Sequence, residues 1–215
     1  MNLLALSFAL LTLLAIIYQV AALAALRSFL KRPRPRRGGG EWPGLSVLKP
    51  VRGLDADTRA CLASFIQQDY PNYQILFGVA DGADPVVPLL KELQEKNRHL
   101  DIQIVICPQK LGMNPKVSTL RQLLPHAGHD LLVISDSDVK APPDLLGTLA
   151  AALEQPRAGL ATCLYRSGPV GTVGGALEAL SISADFIPSV ALAHYLEGIH
   201  FALGAVMAVP RRVLE

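Results

Sequence analysis

Hydrophobic and polar positions divide the chain sharply near residue 26. Residues 3–26 carry no charge, and their only clearly polar side chains are Ser7, Thr12 and Gln19. Wound as one helix, that stretch reaches about 36 Å, enough to cross a hydrocarbon core of roughly 30 Å. A secretory leader is the competing reading. It would want basic residues first and a shorter apolar run, and neither holds here. Beyond residue 44 the pattern changes to short apolar runs alternating with segments of helical period. Strands are predicted at 45–48, 74–79, 102–106, 131–135, 159–164 and 204–209. Helices are predicted at 58–68, from Asp84-Pro85 to about Arg98, from Pro115-Lys116 to about Pro125, and at 143–153. Residues 171–196 read as a helix broken near Pro188, and residues 210–214 as the start of a helix or turn. Four βα units within about 110 residues imply a mostly parallel, doubly wound sheet. Its strands are apolar enough to be covered on both faces.

Composition refines this layout. Pro33, Pro35, Gly38, Gly39, Gly40 and Pro43 form a linker between the apolar segment and the alternating region. The expected division is a transmembrane anchor at 1–30, a basic Pro/Gly linker at 31–44 and one α/β domain at 45–215. No internal repeat is visible. Arg27, Lys31, Arg32, Arg34, Arg36 and Arg37 follow the apolar run. The bias of basic residues toward the cytoplasmic side puts this flank, and the domain behind it, in the cytoplasm. The cluster also suits anionic headgroups. The net charge of +2 hides an asymmetry: without those six residues, 14 basic side chains face all 18 acidic ones, leaving −4. Such a body is no nucleic-acid binder. Cys61, Cys107 and Cys163 are scattered, without a zinc-type pair, as suits a reducing compartment.

The chemistry gathers at strand ends, where open α/β sheets bind ligands. The 131–135 strand runs into Asp136-Ser137-Asp138. Two adjacent carboxylates repel each other, and a hard cation, Mg²⁺ or Mn²⁺, bridging to a phosphate relieves that repulsion. The first strand ends in Lys49-Pro50-Val51-Arg52-Gly53 and the second in Asp81-Gly82-Ala83-Asp84; Gly112-Met113-Asn114-Pro115-Lys116 follows the third. Asp81 can accept from a base or ribose donor. Arg52 and Lys116 offer cations to phosphate, Lys116 from the first turn of a helix, where anions are favoured. A tight turn at Asp81-Gly82, a solvated Lys116 and a surface Arg52 are the plainer alternatives. Glu178, Asp185, His194 and His200 read as solvated or structural groups, and the Gly-rich 171–175 run as a turn.

Taken in order, five stretches resemble family 2-like glycosyltransferases of the GT-A fold, and most of all the ceramide glucosyltransferase group with its bacterial, hopanoid-associated relatives. They are Lys49-Pro50-Val51-Arg52-Gly53, Gln68-Asp69-Tyr70-Pro71, Val79-Ala80-Asp81-Gly82-Ala83-Asp84-Pro85, Gly112-Met113-Asn114-Pro115-Lys116-Val117 and Ile134-Ser135-Asp136-Ser137-Asp138. The resemblance implies a Rossmann-like, mostly parallel GT-A domain behind a transmembrane helix. It implies an inverting transfer from a UDP-sugar to the hydroxyl of a ceramide- or hopanoid-type lipid, at a bacterial inner membrane. By position, Asp81 would bind uracil and ribose, and Asp136 and Asp138 the sugar diphosphate and its Mg²⁺ or Mn²⁺. Pro50 and Arg52 would border the nucleotide and Lys116 would face it. The family's general-base Asp and its Arg-Trp motif have no counterpart here, since the only Trp is Trp42. The catalytic base is therefore expected beyond Glu215, in a C-terminal part this chain lacks. A non-catalytic UDP-sugar-binding remnant is the alternative. A processive polysaccharide synthase is a third reading, disfavoured by the Lys49 to Gly53 signature.

Overall fold

The computed structural model describes residues 2–35, 39, 41–156, 158–168 and 171–214. Arg36, Arg37, Gly38 and Gly40 of the expected linker, and Glu215, lie outside the described residues. The chain divides into two compact units, one of residues 1–33 and 164–201, the other of residues 34–163 and 202–215.

The second unit is built on a six-stranded sheet. Its elements are β1 (Leu45–Val51), α2 (Thr58–Ile66), β2 (Tyr73–Val79), α3 (Val87–Lys96), β3 (Asp101–Ile106), α4 (Pro115–Leu123), β4 (Leu131–Ser135), α5 (Leu145–Leu153), β5 (Ala161–Thr162) and β6 (Val206–Pro210); α1 belongs to the first unit. Strand order is β3-β2-β1-β4-β6-β5. β1 pairs in parallel with β2 and β4, and β2 with β3, while β6 runs antiparallel to both β4 and β5. The mostly parallel α/β sheet expected from the sequence is present, closed on one side by an antiparallel pair.

Alternate residues of β1 face two cores, as a strand covered on both faces requires. Leu45, Val47 and Val51 join Leu62, Phe65, Phe77, Leu90, Val133 and Leu146 on one face. Leu48, Leu76, Leu123, Leu132, Ile134 and Val209 close the other. β2 is buried along its whole length, whereas β3, at the sheet edge, is only partly covered.

Several boundaries differ from expectation: β1 runs on through Lys49 and Pro50 to Val51, while α2, α5 and β6 shift by one or two residues at an end. The fifth strand shrinks from 159–164 to Ala161–Thr162, an edge pair. α3 begins at Val87, because the Asp84 carboxylate turns the chain by accepting from the Val86 N–H. α4 stops at Leu123, and Leu124–His126 tighten into a 3₁₀ turn around Pro125.

The first unit holds α1 (Leu3–Leu30), α6 (Val173–Ser181), a π-helical turn (Ile182–Phe186) and α7 (Ile187–Glu197). The expected break at Pro188 does not occur. The wider π turn before Pro188 takes up the carbonyl that its ring would otherwise strike, so the helix passes through. Thr172 caps α6 by accepting from the Gly175 N–H. Both α1 and residues 173–197 are long and apolar enough to cross a membrane by length and composition.

One close approach in the sheet unit governs the site. A Cβ at Gly78 of β2 would stand 2.6 Å from Thr119 Cγ2 and 2.8 Å from Leu123 Cδ1, both on α4. Glycine here lets α4 lie flat on β1 and β2. Gly78→Ala is therefore expected to destabilise the sheet unit by about 1–3 kcal/mol, the usual cost of overpacking. Adding Thr119→Ser, which removes the clashing methyl, restores part of that loss in a urea melt. A Gly78→Ala protein as stable as the parent would contradict this packing.

Candidate active site

β1 lies between β2 and β4, so the chain leaves it toward opposite sides of the sheet. That is the switch point at which doubly wound sheets open a crevice. Of the sequence-predicted residues, the structure brings Asp136 and Lys116 together here. Asp136 follows β4 directly, and Lys116 sits in the first turn of α4. The Lys116 ammonium pairs with an Asp136 carboxylate oxygen and donates to the Gly204 carbonyl at 3.0 Å. α4 reaches this place because it crosses back from the β3 edge over β2 and β1, on the space that Gly78 leaves. Its start is fixed by Pro115 and by Asn114, whose side chain accepts from the Val117 N–H.

The loop carrying the carboxylates is held from beneath by a residue assigned no role above. Lys49 is fully buried at a core-facing position of β1. Leu48 pairs with Ile134, so Lys49 lies level with Ser135. Its ammonium donates to Ser135 Oγ at 3.1 Å and to the Asp136 carbonyl, and it stands 3.9 Å from the centre of the Phe65 ring. Burial pulls Lys49 down to about 7, while Cys61, Asp138 and Asp136 pull the other way. Asp136 is further tied by its N–H to the Ala205 carbonyl at 3.0 Å, and the Asp138 carbonyl accepts from Cys61 Sγ at 3.2 Å. Burial pushes the Cys61 thiol up, so it stays a protonated donor. The backbone from Asp136 to Asp138 is fixed on several sides, and Asp138 remains exposed.

The remaining predicted residues lie on the β2 flank. Pro50 is half-buried opposite Gly78 in the β1–β2 register, and Arg52 is exposed just past the strand. Asp81 is exposed beyond β2, with Oδ1 accepting from the Ala83 N–H at 2.9 Å. It forms the turn weighed as its plainer reading. No contact joins it to Asp136 among the described residues. Asp84, read only as a helix opener, does more. Its carboxylate accepts from the Gly53 N–H at 3.0 and 3.1 Å and so ties the two strand-end loops together. Gly53 adopts φ +71°, a conformation that favours glycine. The signal was the Gly after Arg52 combined with an Asp before Pro85. Beside this turn a cavity of about 380 Å³ opens between Gly82, Val87, Lys91, Gln94, Ile104 and Ile106.

The donor set at Asp136 and Asp138 is two hard carboxylates, and among the described residues no group of three or more His, Cys, Asp or Glu converges. That fits Mg²⁺ or Mn²⁺, which take one or two carboxylates and complete their shell with water and substrate phosphates. It does not fit a closed zinc cage.

A mixed six-stranded sheet of this order, with carboxylates at the switch point, defines a GT-A-type glycosyltransferase domain. Its fold is shared with the mannosyltransferase PcManGT from Pyrobaculum calidifontis, solved in complex with GDP-Man and Mn²⁺. That likeness has a TM-score of 0.65 at 19% identity and covers 92% of this chain and 57% of that one. Residues 7–215 match Glycosyl transferase family 21, and the chain belongs to that family. It is 32% identical over 163 residues to the ceramide glucosyltransferase of Candida albicans, covering 68% of this chain and 30% of that protein. It is 30% identical over 111 residues to ceramide glucosyltransferase 1 of Caenorhabditis elegans, covering 52% and 24%. The chain thus spans about a third or less of the length of these relatives.

Lys49→Met keeps the apolar stem and the core volume and removes the charge. Replacing a buried charge by a hydrophobe of similar size is often neutral for stability, so a melt within about 1–2 kcal/mol of the parent is expected. Amide exchange at Asp136 and Val139, the hydrogen-bonded amides of this loop, should rise at least about tenfold, the equivalent of one lost charged hydrogen bond of roughly 1.4 kcal/mol. Unchanged exchange would mean that Lys49 does not hold the loop.

Proposed function

We propose that this chain supplies the donor-binding part of a membrane-anchored, inverting glycosyltransferase that moves a sugar from a UDP-sugar to a lipid hydroxyl. The observation that carries this reading is the grouping of Lys116, Asp136 and the Lys49-held loop at the switch point of a family 21 domain. Asp81 would accept from uracil and ribose, with Pro50 and Arg52 bordering the nucleotide. Lys116 would move from the Asp136 carboxylate toward the diphosphate as that anion enters. Asp138, with Asp136, would hold Mg²⁺ or Mn²⁺, whose positive charge favours departure of the diphosphate.

Transfer breaks the bond between the anomeric carbon and the diphosphate oxygen as the acceptor oxygen bonds from the opposite face. The proton of the acceptor hydroxyl goes to a general base that is assigned to no residue of this chain. Proximity to the bilayer and the ceramide glucosyltransferase relatives favour a sphingoid or hopanoid polyol as acceptor. α1 serves as the anchor over residues 1–30, followed by the linker at 31–44 and the sugar-nucleotide domain at 45–215. Arg27, Lys31 and Arg32 at its end keep that domain on the cytoplasmic side of a bacterial inner membrane.

Calorimetric titration of the full chain in detergent is expected to show UDP and UDP-sugar binding that needs Mn²⁺ or Mg²⁺ and is stronger than GDP-mannose binding. Asp138→Asn should weaken binding at least about tenfold, a loss of roughly 1.4 kcal/mol. Binding indifferent to metal and to this substitution would reject the donor assignment.

A further inference from the structure

The helix at residues 173–197 has a surface that neither the fold nor the donor site uses. Val173, Leu177 and Leu180 are 78%, 63% and 62% exposed. Their spacing of four and three residues puts them in one stripe along α6. Glu178, the residue after Leu177, is turned about 100° away from it on the helix, and the exposed Asp185 follows on the π turn.

α7 packs against α1. Ala22 and Ala25 of α1 and Val190 and Ala191 of α7 are buried. Tyr18 and Ser189 share a hydrogen bond of 2.7 Å, and the His194 ring stands edge-on to Phe29 at 6.0 Å. Ser183 and Ala184 line an apolar cavity of about 340 Å³ with Val20, Leu23 and Leu26. These α1 residues fall within 18–29, toward the end that carries Arg27, Lys31 and Arg32, whereas residues 3–17 are exposed.

A second span alongside α1 would also pair with residues 3–17. It would place the exposed Glu178 and Asp185 in hydrocarbon, where an ionised carboxylate costs about 2.5–3.5 kcal/mol even on insertion scales. Neither condition suits this helix.

We propose that α6 and the π turn lie in the plane of the membrane at its cytoplasmic boundary, with Val173, Leu177 and Leu180 set into the acyl chains and Glu178 and Asp185 toward water. The partner is the lipid bilayer itself, reached at the basic end of the anchor. The proposal rests on the reading of α1 as a membrane anchor. Continuity with that anchor and the division of apolar and acidic faces are what select lipid over a protein partner.

The test is tryptophan depth scanning of the full chain in phosphatidylcholine–phosphatidylglycerol vesicles. Trp42→Phe removes the single native Trp, and Leu177→Trp, Leu180→Trp, Glu178→Trp or Leu10→Trp is then added singly. Leu177→Trp and Leu180→Trp should be quenched several-fold more by lipids brominated near the headgroup than by lipids brominated near the chain end. Glu178→Trp should instead be quenched by aqueous iodide, and Leu10→Trp by the deep bromines. Deep quenching at residues 177, 178 and 180 alike would mean a second span and overturn the proposal. Absence of lipid quenching at 177 and 180 with Leu10→Trp still quenched would also overturn it, leaving the anchor intact; concentration-dependent crosslinking would then identify a second copy as the cover. Absence of quenching at Leu10→Trp as well would overturn the anchor itself.

Discussion

A buried lysine amine must be satisfied locally, and among the described residues Lys49 meets that demand without an ion-paired carboxylate, through partners that hold the end of β4. Its donors go to Ser135 Oγ and to the Asp136 carbonyl, and its charge lies over the Phe65 face. β1 is thereby fastened to the end of β4 by more than the sheet ladder. The carboxylates that follow β4 emerge from a backbone tied at Asp136 by Lys49 and by the Ala205 carbonyl. A buried polar group is costly when unmatched. Moving the loop would strand the ammonium, so the cost of burying Lys49 becomes rigidity where Asp136 and Asp138 leave the sheet.

The position of Lys116 beside Asp136 follows from a missing side chain. Gly78 allows α4 to approach β2, and that approach carries Lys116 from the β3 edge to Asp136. Asp84 performs a similar service on the other flank, where its carboxylate joins the loops after β1 and β2. The site is therefore assembled from strand ends that are far apart in sequence. Three local devices hold it: a buried Lys, a close-packed Gly and a bridging Asp.

Much of this was legible in the residues. The six strands and the parallel character of β1 to β4 follow from apolar runs separated by helical periods, and the acidic end of β4 stands out without any structure. What escaped depends on partners that pattern cannot reveal. Lys49 reads as polar in an apolar strand, and only the β1–β4 register shows that it faces inward toward Ser135 and Phe65. β5 is confined to the two residues that find partners on β6, Ala161 against Ala208 and Thr162 against Met207. The helix at 173–197 survives Pro188 because a π turn precedes it, and backbone adjustments of that kind leave no periodic signature. Glu178 and Asp185 of that helix were legible; the exposure of the apolar stripe beside them required the fold.

The central claim is that Asp136 and Asp138 receive the diphosphate of a nucleotide sugar together with a divalent cation. Anomalous diffraction from crystals of the chain grown with UDP and Mn²⁺ tests it most directly. The account predicts a manganese peak touching the Asp138 carboxylate and the diphosphate, beyond the ends of β1 and β4, with Lys116 turned toward the nucleotide. Nucleotide bound away from the switch point, or manganese held by residues other than Asp136 and Asp138, would contradict it.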